Sequence, residues 1–326
     1  MRAARCEVHG KPDTIVIREV PDPVAGTGEV VVGVEAASVN FPDVLIAADR
    51  YQLSVPTPFT AGSEFAGRVL SVGPEVDDLA PGDAVMGTVL SGAFAERITV
   101  ARTALSPVPA GLDMVHAAAF NVTYRTAYHA VTTFGGLEPG EWVVILGAAG
   151  GVGSAAIDIA TRLGGKVIAA VSTPERAEAC RSMGAVETIA YDTEDLKQRI
   201  KEITGTGAAV VIDPVGGSYS EQALRAIAWG GRFVSVGFAQ GDIPRIPLNL
   251  VLLKGAIVRG FEIRTLASHL PDAVDKGRGE IERLVAQGMK PFVSEVYSLD
   301  EAPLALTRVA ERRTTGKIVI DMSANT

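Results

Sequence analysis

Two cysteines in 326 residues, Cys6 and Cys180, are too few for a disulfide framework or a site built from four thiolates. Each reads as a small buried hydrophobe in a reducing compartment. Histidine is equally scarce: His9, His116, His129 and His269 show no ligand spacing with one another. Positive charge is in deficit, with 30 Lys and Arg against 38 Asp and Glu and a formal net charge of −8. A nucleic-acid backbone binder needs the opposite balance, so no nucleic-acid partner is expected. Long hydrophobic runs are missing too. The longest uncharged stretch, Trp142 to Ile157, is interrupted by Gly147, Gly150, Gly151 and Gly153 and is too short to span a bilayer. The chain starts Met1-Arg2-Ala3-Ala4-Arg5, reaching charge before any apolar segment develops, so no signal peptide, no membrane and a cytoplasmic location are expected. What is present is the balance of a packed protein, 47% hydrophobic and 21% charged, with 35 glycines that imply many tight turns. The length argues for two domains.

The first third reads as short strands punctuated by turns: Glu29 to Glu35, Gly67 to Val72 closing at Gly73-Pro74, and Ala84 to Val89 after Pro81-Gly82-Asp83. That texture suggests an irregular antiparallel barrel. Near residue 140 the period changes. Trp142 to Leu146 is apolar without alternation, as in a parallel strand buried on both faces, and Val152, Ala155, Ala156, Ile159, Ala160 and Leu163 then recur at helical spacing. Strands at 166–171, 186–190, 208–212 and 232–236 alternate with helices near 194–203 and 219–228, which means βαβ units on a parallel sheet. A helix near 281–287, another near 302–311 and a strand at 317–321 follow, and this last stretch is expected to return to the first domain.

The segment Gly147-Ala148-Ala149-Gly150-Gly151-Val152-Gly153 lies where the buried strand meets the helix. A dinucleotide's pyrophosphate requires backbone N–H groups aimed at it and no Cβ in the way, and glycines at 147, 150 and 153 meet that need. The surrounding βαβ pattern makes the motif specific. The second parallel strand ends Val171-Ser172-Thr173 without the carboxylate that accepts from a ribose 2′-hydroxyl. Arg176 follows, placed either to meet a 2′-phosphate or as a solvated helix residue, and NADPH is expected over NADH.

Ser38-Val39-Asn40-Phe41-Pro42-Asp43, Ala61-Gly62-Ser63-Glu64-Phe65-Ala66-Gly67 and Pro81-Gly82-Asp83-Ala84-Val85 resemble the medium-chain dehydrogenase/reductase superfamily. With Thr123-Tyr124-Arg125-Thr126-Ala127-Tyr128, the glycine turn, Asp213-Pro214-Val215-Gly216-Gly217 and Gly316-Lys317-Ile318-Val319, the chain is similar to its zinc-independent quinone oxidoreductase (zeta-crystallin-like) branch over its whole length. The resemblance implies an α/β protein with a GroES-like β-barrel catalytic domain (1–120 and 262–326), a Rossmann doubly wound parallel-sheet domain (121–261), and assembly as a homodimer or homotetramer. It further implies that Asn40 and Tyr51 line the nicotinamide end. Thr126 and the turn Ala149, Gly150, Gly151, Val152 and Gly153 would hold the phosphates. Ser172, Arg176 and Tyr191 would surround the adenosine 2′-phosphate, with Phe238 and Phe261 along the cofactor and Arg312 and Lys317 nearby.

The zinc branch of the superfamily needs thiolate and imidazole ligands. Here Asn40-Phe41-Pro42-Asp43 has no cysteine, Ser63 stands in Gly62-Ser63-Glu64 where a histidine would ligate, and no metal is expected. Without a Lewis acid, the suitable acceptor is one that delocalises its own charge, a quinone or an α,β-unsaturated carbonyl. Asn40 either offers its amide to the ribose or substrate, or caps its own loop; Tyr51 either donates a proton or forms an aromatic wall. Glu64 is expected to be structural, Tyr124 and Tyr128 to pack, and Asp158 to face solvent. The leading expectation is an NADPH-dependent quinone or activated-alkene reductase. The alternatives are an enoyl-thioester reductase of the same fold and a non-catalytic NADPH-binding protein.

Overall fold

A computed structural model of the chain describes residues 1–324. It divides into two compact units, Met1–Val122 together with the segment from Val285 onward, and Thr123–Leu284.

The first unit is built on the strand Glu29–Val39, whose β-branched run lets it pair on both edges. It is antiparallel to Lys317–Asp321, to Glu64–Val72 and to Arg97–Ala101. Val293–Tyr297 extends this sheet beyond Lys317–Asp321, while Ala84–Thr88 and Leu105–Pro107 extend it beyond Glu64–Val72. A second sheet places Arg2–Cys6 between Ile15–Glu19 and Phe59–Thr60. Val30, Val32, Val34, Phe65, Phe94, Ile318 and Ile320 fill the interior. This is the GroES-like barrel. Its long central strand ends at Val39, Asn40 caps the next element, and the helix Phe41–Ala47 begins at once, with proline in its first turn.

The second unit carries six parallel strands. In spatial order they are Glu187–Ala190, Lys166–Val171, Trp142–Leu146, Ala208–Asp213, Ile227–Ser235 and Ile257–Gly260, or 3-2-1-4-5-6 counted along the chain. That is the Rossmann order, in which ligands bind where the order reverses, outside the carboxyl ends of the first and fourth strands. Val144, Leu146, Ile168, Ile189, Val211 and Phe233 are buried within it. This accounts for runs such as Trp142–Leu146 that show no alternation.

Three boundaries differ from the sequence pattern. Residues 227 and 228, assigned to a helix, open the fifth strand instead, because the helix stops at Arg225 and Ile227 pairs with Ala208. The helix expected near 281–287 begins at Pro271 and runs to Ala286, its apolar stripe having been obscured by Gly277 and Gly279. Finally, 262–284 clusters with the parallel-sheet unit and not with the barrel. A Cβ on Gly277 would come within 3.0 Å of the Tyr128 and His129 rings, closer than ordinary contact, so the helix packs tightly against them there.

Candidate coenzyme and acceptor site

In the parallel-sheet unit the first strand ends at Leu146, and Gly147 turns the chain with φ 57°. A Cβ on Gly153 would lie 2.4 Å from the Gly147 carbonyl oxygen and 2.6 Å from Ala148 Cα, so the helix Gly151–Arg162 sits directly on the turn. Ala149, Gly150, Gly151, Val152 and Gly153 thus present main chain at a helix N-terminus, where N–H groups lack intrahelical partners. A cradle this bare fits a pyrophosphate. Thr126 is buried in the neighbouring helix Asn121–His129. Tyr124 on that helix donates its hydroxyl to Asp158 at 3.0 Å, and Asp158 also accepts from Arg162 at 2.6 Å. Asp158 is therefore not simply solvated. It ties the two helices together, and burial beside its charge raises the Tyr124 hydroxyl pKa.

Ser172 follows the second strand, and Arg176, in the first turn of the helix Pro174–Ser182, donates to its hydroxyl at 3.0 Å. Tyr191 follows the third strand, its N–H donating to the Val171 carbonyl at 2.9 Å, so it adjoins the end of the second strand. Its ring lies 4.2 Å from that of Tyr219. The sequence-selected Ser172, Arg176 and Tyr191 are thus neighbours at two adjacent strand ends.

The fourth strand ends in Asp213, which the sequence reading did not select. Its carboxylate accepts N–H groups from Val215 and Gly216 at 2.8 Å and the Ser220 hydroxyl at 2.5 Å. Burial nevertheless raises its pKa above the ordinary carboxylate value. The bonds shape a loop whose Val215 comes within 2.6 Å of where a Gly147 Cβ would stand. Asp ahead of Pro-Val-Gly-Gly is an Asx-turn signal and could have been read as such. Ala239 and Gln240 donate to carbonyls of this loop, which carries the exposed Phe238 alongside it. Phe261 stacks on Phe134 at 4.4 Å, and Phe134 closes a π-helical turn, Ala130–Phe134, invisible in the sequence.

In the barrel unit Asn40 and Lys317 meet directly. Lys317 Nζ donates to Asn40 Oδ1 at 2.6 Å and to the Val39 carbonyl at 3.1 Å, and lies 3.7 Å from Glu64 Oε2. Asn40 Nδ2 donates to the same Glu64 oxygen at 3.0 Å, as does the Ser38 hydroxyl at 2.5 Å. The Asn40 N–H donates to Asp43 at 2.7 Å, so Asn40 does stand at the head of its own helix. Burial pushes the Asp43 carboxyl up to about 6, with the Ser63 hydroxyl, the Asn40 N–H and Lys317 pulling it back and Glu64 reinforcing the rise. Burial likewise lowers the Lys317 ammonium pKa, which Glu64 and Asp43 oppose. Tyr51 is half-buried against the barrel core, and Arg312 is exposed in the turn after the helix Ala302–Ala310, at φ 57°.

Comparison with known proteins agrees with these two halves. Residues 26–110 match the alcohol dehydrogenase GroES-like domain, and 151–276 match the zinc-binding dehydrogenase model. The chain is 35% identical over 326 residues to a quinone oxidoreductase-like protein 2 homolog of Nematostella vectensis, covering 98% of this chain and 88% of that protein. The chain belongs to the medium-chain dehydrogenase/reductase superfamily, in its zinc-independent quinone oxidoreductase branch. Among solved structures of medium-chain dehydrogenase/reductase relatives, a probable oxidoreductase from Mycobacterium abscessus superposes with a TM-score of 0.88 at 36% identity, covering 98% of this chain and 99% of that one. The Escherichia coli quinone oxidoreductase in complex with NADPH gives 0.90 at 28% identity, covering 98% and 100%. As a member of this superfamily the protein is an oxidoreductase. Within it, this chain departs from the zinc branch in donor chemistry: Ser63 supplies only a hydroxyl, and Glu64 faces an ammonium inside the barrel. Among the described residues no group of three or more His, Cys, Asp or Glu is arranged to hold a metal ion, and no helix is long and apolar enough to cross a membrane.

Proposed function

We propose that the protein is an NADPH-dependent, metal-free reductase of quinones or other activated alkenes, acting in the cytoplasm. The observation that carries the coenzyme choice is the Arg176–Ser172 pair, 3.0 Å apart at the end of the second strand, whose tip Val171-Ser172-Thr173 has no carboxylate of its own, while Glu175 in the first turn of the next helix is engaged by Thr173. Residues 149–153 and Thr126 hold the phosphates, Tyr191 borders the adenosine, Phe238 and Phe261 flank the coenzyme, and Asn40 and Tyr51 serve the nicotinamide end. Arg312 and Lys317 belong to the same barrel half. The NADPH complex of the Escherichia coli relative and the quinone oxidoreductase-like names of the curated relatives support this reading.

The reduced nicotinamide, when bound, supplies a hydride. The chain itself provides no imidazole or thiolate at 63 or 40–43 to bind a Lewis acid, so the acceptor must spread the incoming charge over its own ring or enone. Tyr51 and Asn40 orient the acceptor oxygen, and Tyr51 or solvent returns its proton. NADPH oxidation followed with 9,10-phenanthrenequinone, 1,4-benzoquinone and crotonyl-CoA tests the reading. Turnover with the quinones supports it, turnover confined to crotonyl-CoA identifies an enoyl-thioester reductase, and saturable NADPH binding without turnover identifies a non-catalytic binder.

We also propose a homodimer. The edge strand Ile257–Gly260 is exposed along its whole length and leaves one row of backbone groups open. Beside it, the helix Leu248–Lys254 exposes Leu248, Leu252 and Leu253, and Trp229, 81% exposed, lies against Gly255 at that helix's end. A two-fold axis setting this edge antiparallel to its copy would complete the ladder and cover the apolar side chains.

A further inference from the structure

A buried ammonium demands acceptors for its protons, and at Lys317 those acceptors come from residues distant in sequence. The side chain is 3% exposed. Two of its three donors go to the Val39 carbonyl and Asn40 Oδ1, and Glu64 Oε2 at 3.7 Å supplies the opposing charge. Glu64 is anchored in turn: Oε2 accepts from the Ser38 hydroxyl and Asn40 Nδ2, and Oε1 accepts from the Val122 N–H at 2.7 Å. The Asn40 amide therefore lies between a fixed cation on its oxygen and a fixed anion on its nitrogen. Rotating it by half a turn would press NH2 against the ammonium and the carbonyl oxygen against the carboxylate, so one orientation is imposed. Oδ1 also faces the Asp43 N–H of the helix capping box, so what remains for a ligand is the second Nδ2 proton, whose contacts to Ser38 are long at 3.4 Å.

We propose that Lys317 is a positioning residue for the reaction: its ammonium, balanced by Glu64, locks the Asn40 side-chain amide in the orientation that meets the nicotinamide end of the coenzyme or the acceptor. This rests on the reading of Asn40 given above. Lys317 acts through Asn40 and touches neither coenzyme nor substrate, since its donors are directed inside the barrel.

A double-mutant cycle tests it. Asn40→Ala, Lys317→Met and the double variant are compared for kcat and KM with 9,10-phenanthrenequinone, for NADPH binding by fluorescence, and for thermal unfolding. Lys317→Met is expected to lower kcat/KM about tenfold when Asn40 is present and less than about twofold in the Asn40→Ala background, a coupling that a purely structural role would not produce. Equal losses in both backgrounds overturn the proposal while leaving the role of Asn40 standing. An Asn40→Ala variant with unchanged kinetics and NADPH binding overturns both. If Lys317→Met does not fold, the cycle is run on Glu64→Gln, where no carboxylate is left stranded, and the same coupling is required.

Discussion

Replacing Gly153 by alanine adds one methyl group at the point where the helix Gly151–Arg162 rests on the glycine turn. That carbon would lie 2.4 Å from the Gly147 oxygen and 2.6 and 2.7 Å from Ala148 Cα and C, all main-chain atoms. Ordinary contact needs roughly 1 Å more, and no side chain is available to swing aside, so the helix must lift from the turn. Overpacking of this kind costs about 1–3 kcal/mol, which for a domain of this size lowers Tm by about 2–12 °C. The displacement also withdraws the first-turn N–H groups from the pyrophosphate position, and NADPH should bind about tenfold more weakly, equivalent to about 1.4 kcal/mol. Gly279→Ala is the control. It lies exposed within the helix Pro271–Ala286, and an added Cβ meets nothing within 4 Å. There the same substitution removes backbone entropy from the unfolded chain and should stabilise by about 0.4–1 kcal/mol. Scanning calorimetry and NADPH fluorescence titration of the two variants side by side decide the matter. A Gly153→Ala protein that melts with the wild type and binds NADPH as tightly would refute the close-approach account of the turn.

Three further outcomes are expected. Arg176→Ala should weaken NADPH by about 10- to 100-fold, the loss of a charge-assisted bond of about 1.5–3 kcal/mol, and leave NADH nearly unchanged; equal losses would mean that another residue reads the 2′-phosphate. Because the Asp43 carboxyl titrates near 6 when folded against an ordinary 3.8, its contribution to stability is full below about pH 4 and is lost as pH rises through 6. The gap is worth at most about 3 kcal/mol at 1.36 kcal/mol per pH unit, so Asp43→Asn should gain stability on the wild type between pH 4 and 7 in denaturant titrations, and parallel pH profiles would count against it. Val258→Lys on the open edge strand should convert a dimer into a monomer by light scattering, whereas a wild type that is already monomeric removes the proposed interface.

Much of the parallel-sheet unit was legible because its signals are local. Trp142–Leu146 and Lys166–Val171 fall where continuous apolar runs placed them, since strands covered on both faces cannot alternate. The glycine turn was equally readable, because the need for bare main chain at a helix start dictates residue type directly. Where a residue's partner lies on another element, periodicity is silent: the spacing that turns Asp158 outward from its helix does not show Tyr124 across from it, and nothing local pairs Phe134 with Phe261. The 262–284 segment clusters with the parallel-sheet unit, where Gly277 packs against Tyr128 and His129, a long-range contact that no local pattern encodes.

Amino-acid order alone determined the two-domain plan, the strand–turn–helix cradle and the lack of an imidazole or thiolate at 63 and 40–43, all of which depend on residue type and near-neighbour spacing. Only the tertiary structure decided which groups Lys317 meets. Its place beside Asn40 follows from the register that sets Ile318 opposite Val39 between strands far apart in the chain. A slip of one residue would turn the ammonium to the opposite face of the sheet, because side chains alternate with a period of two.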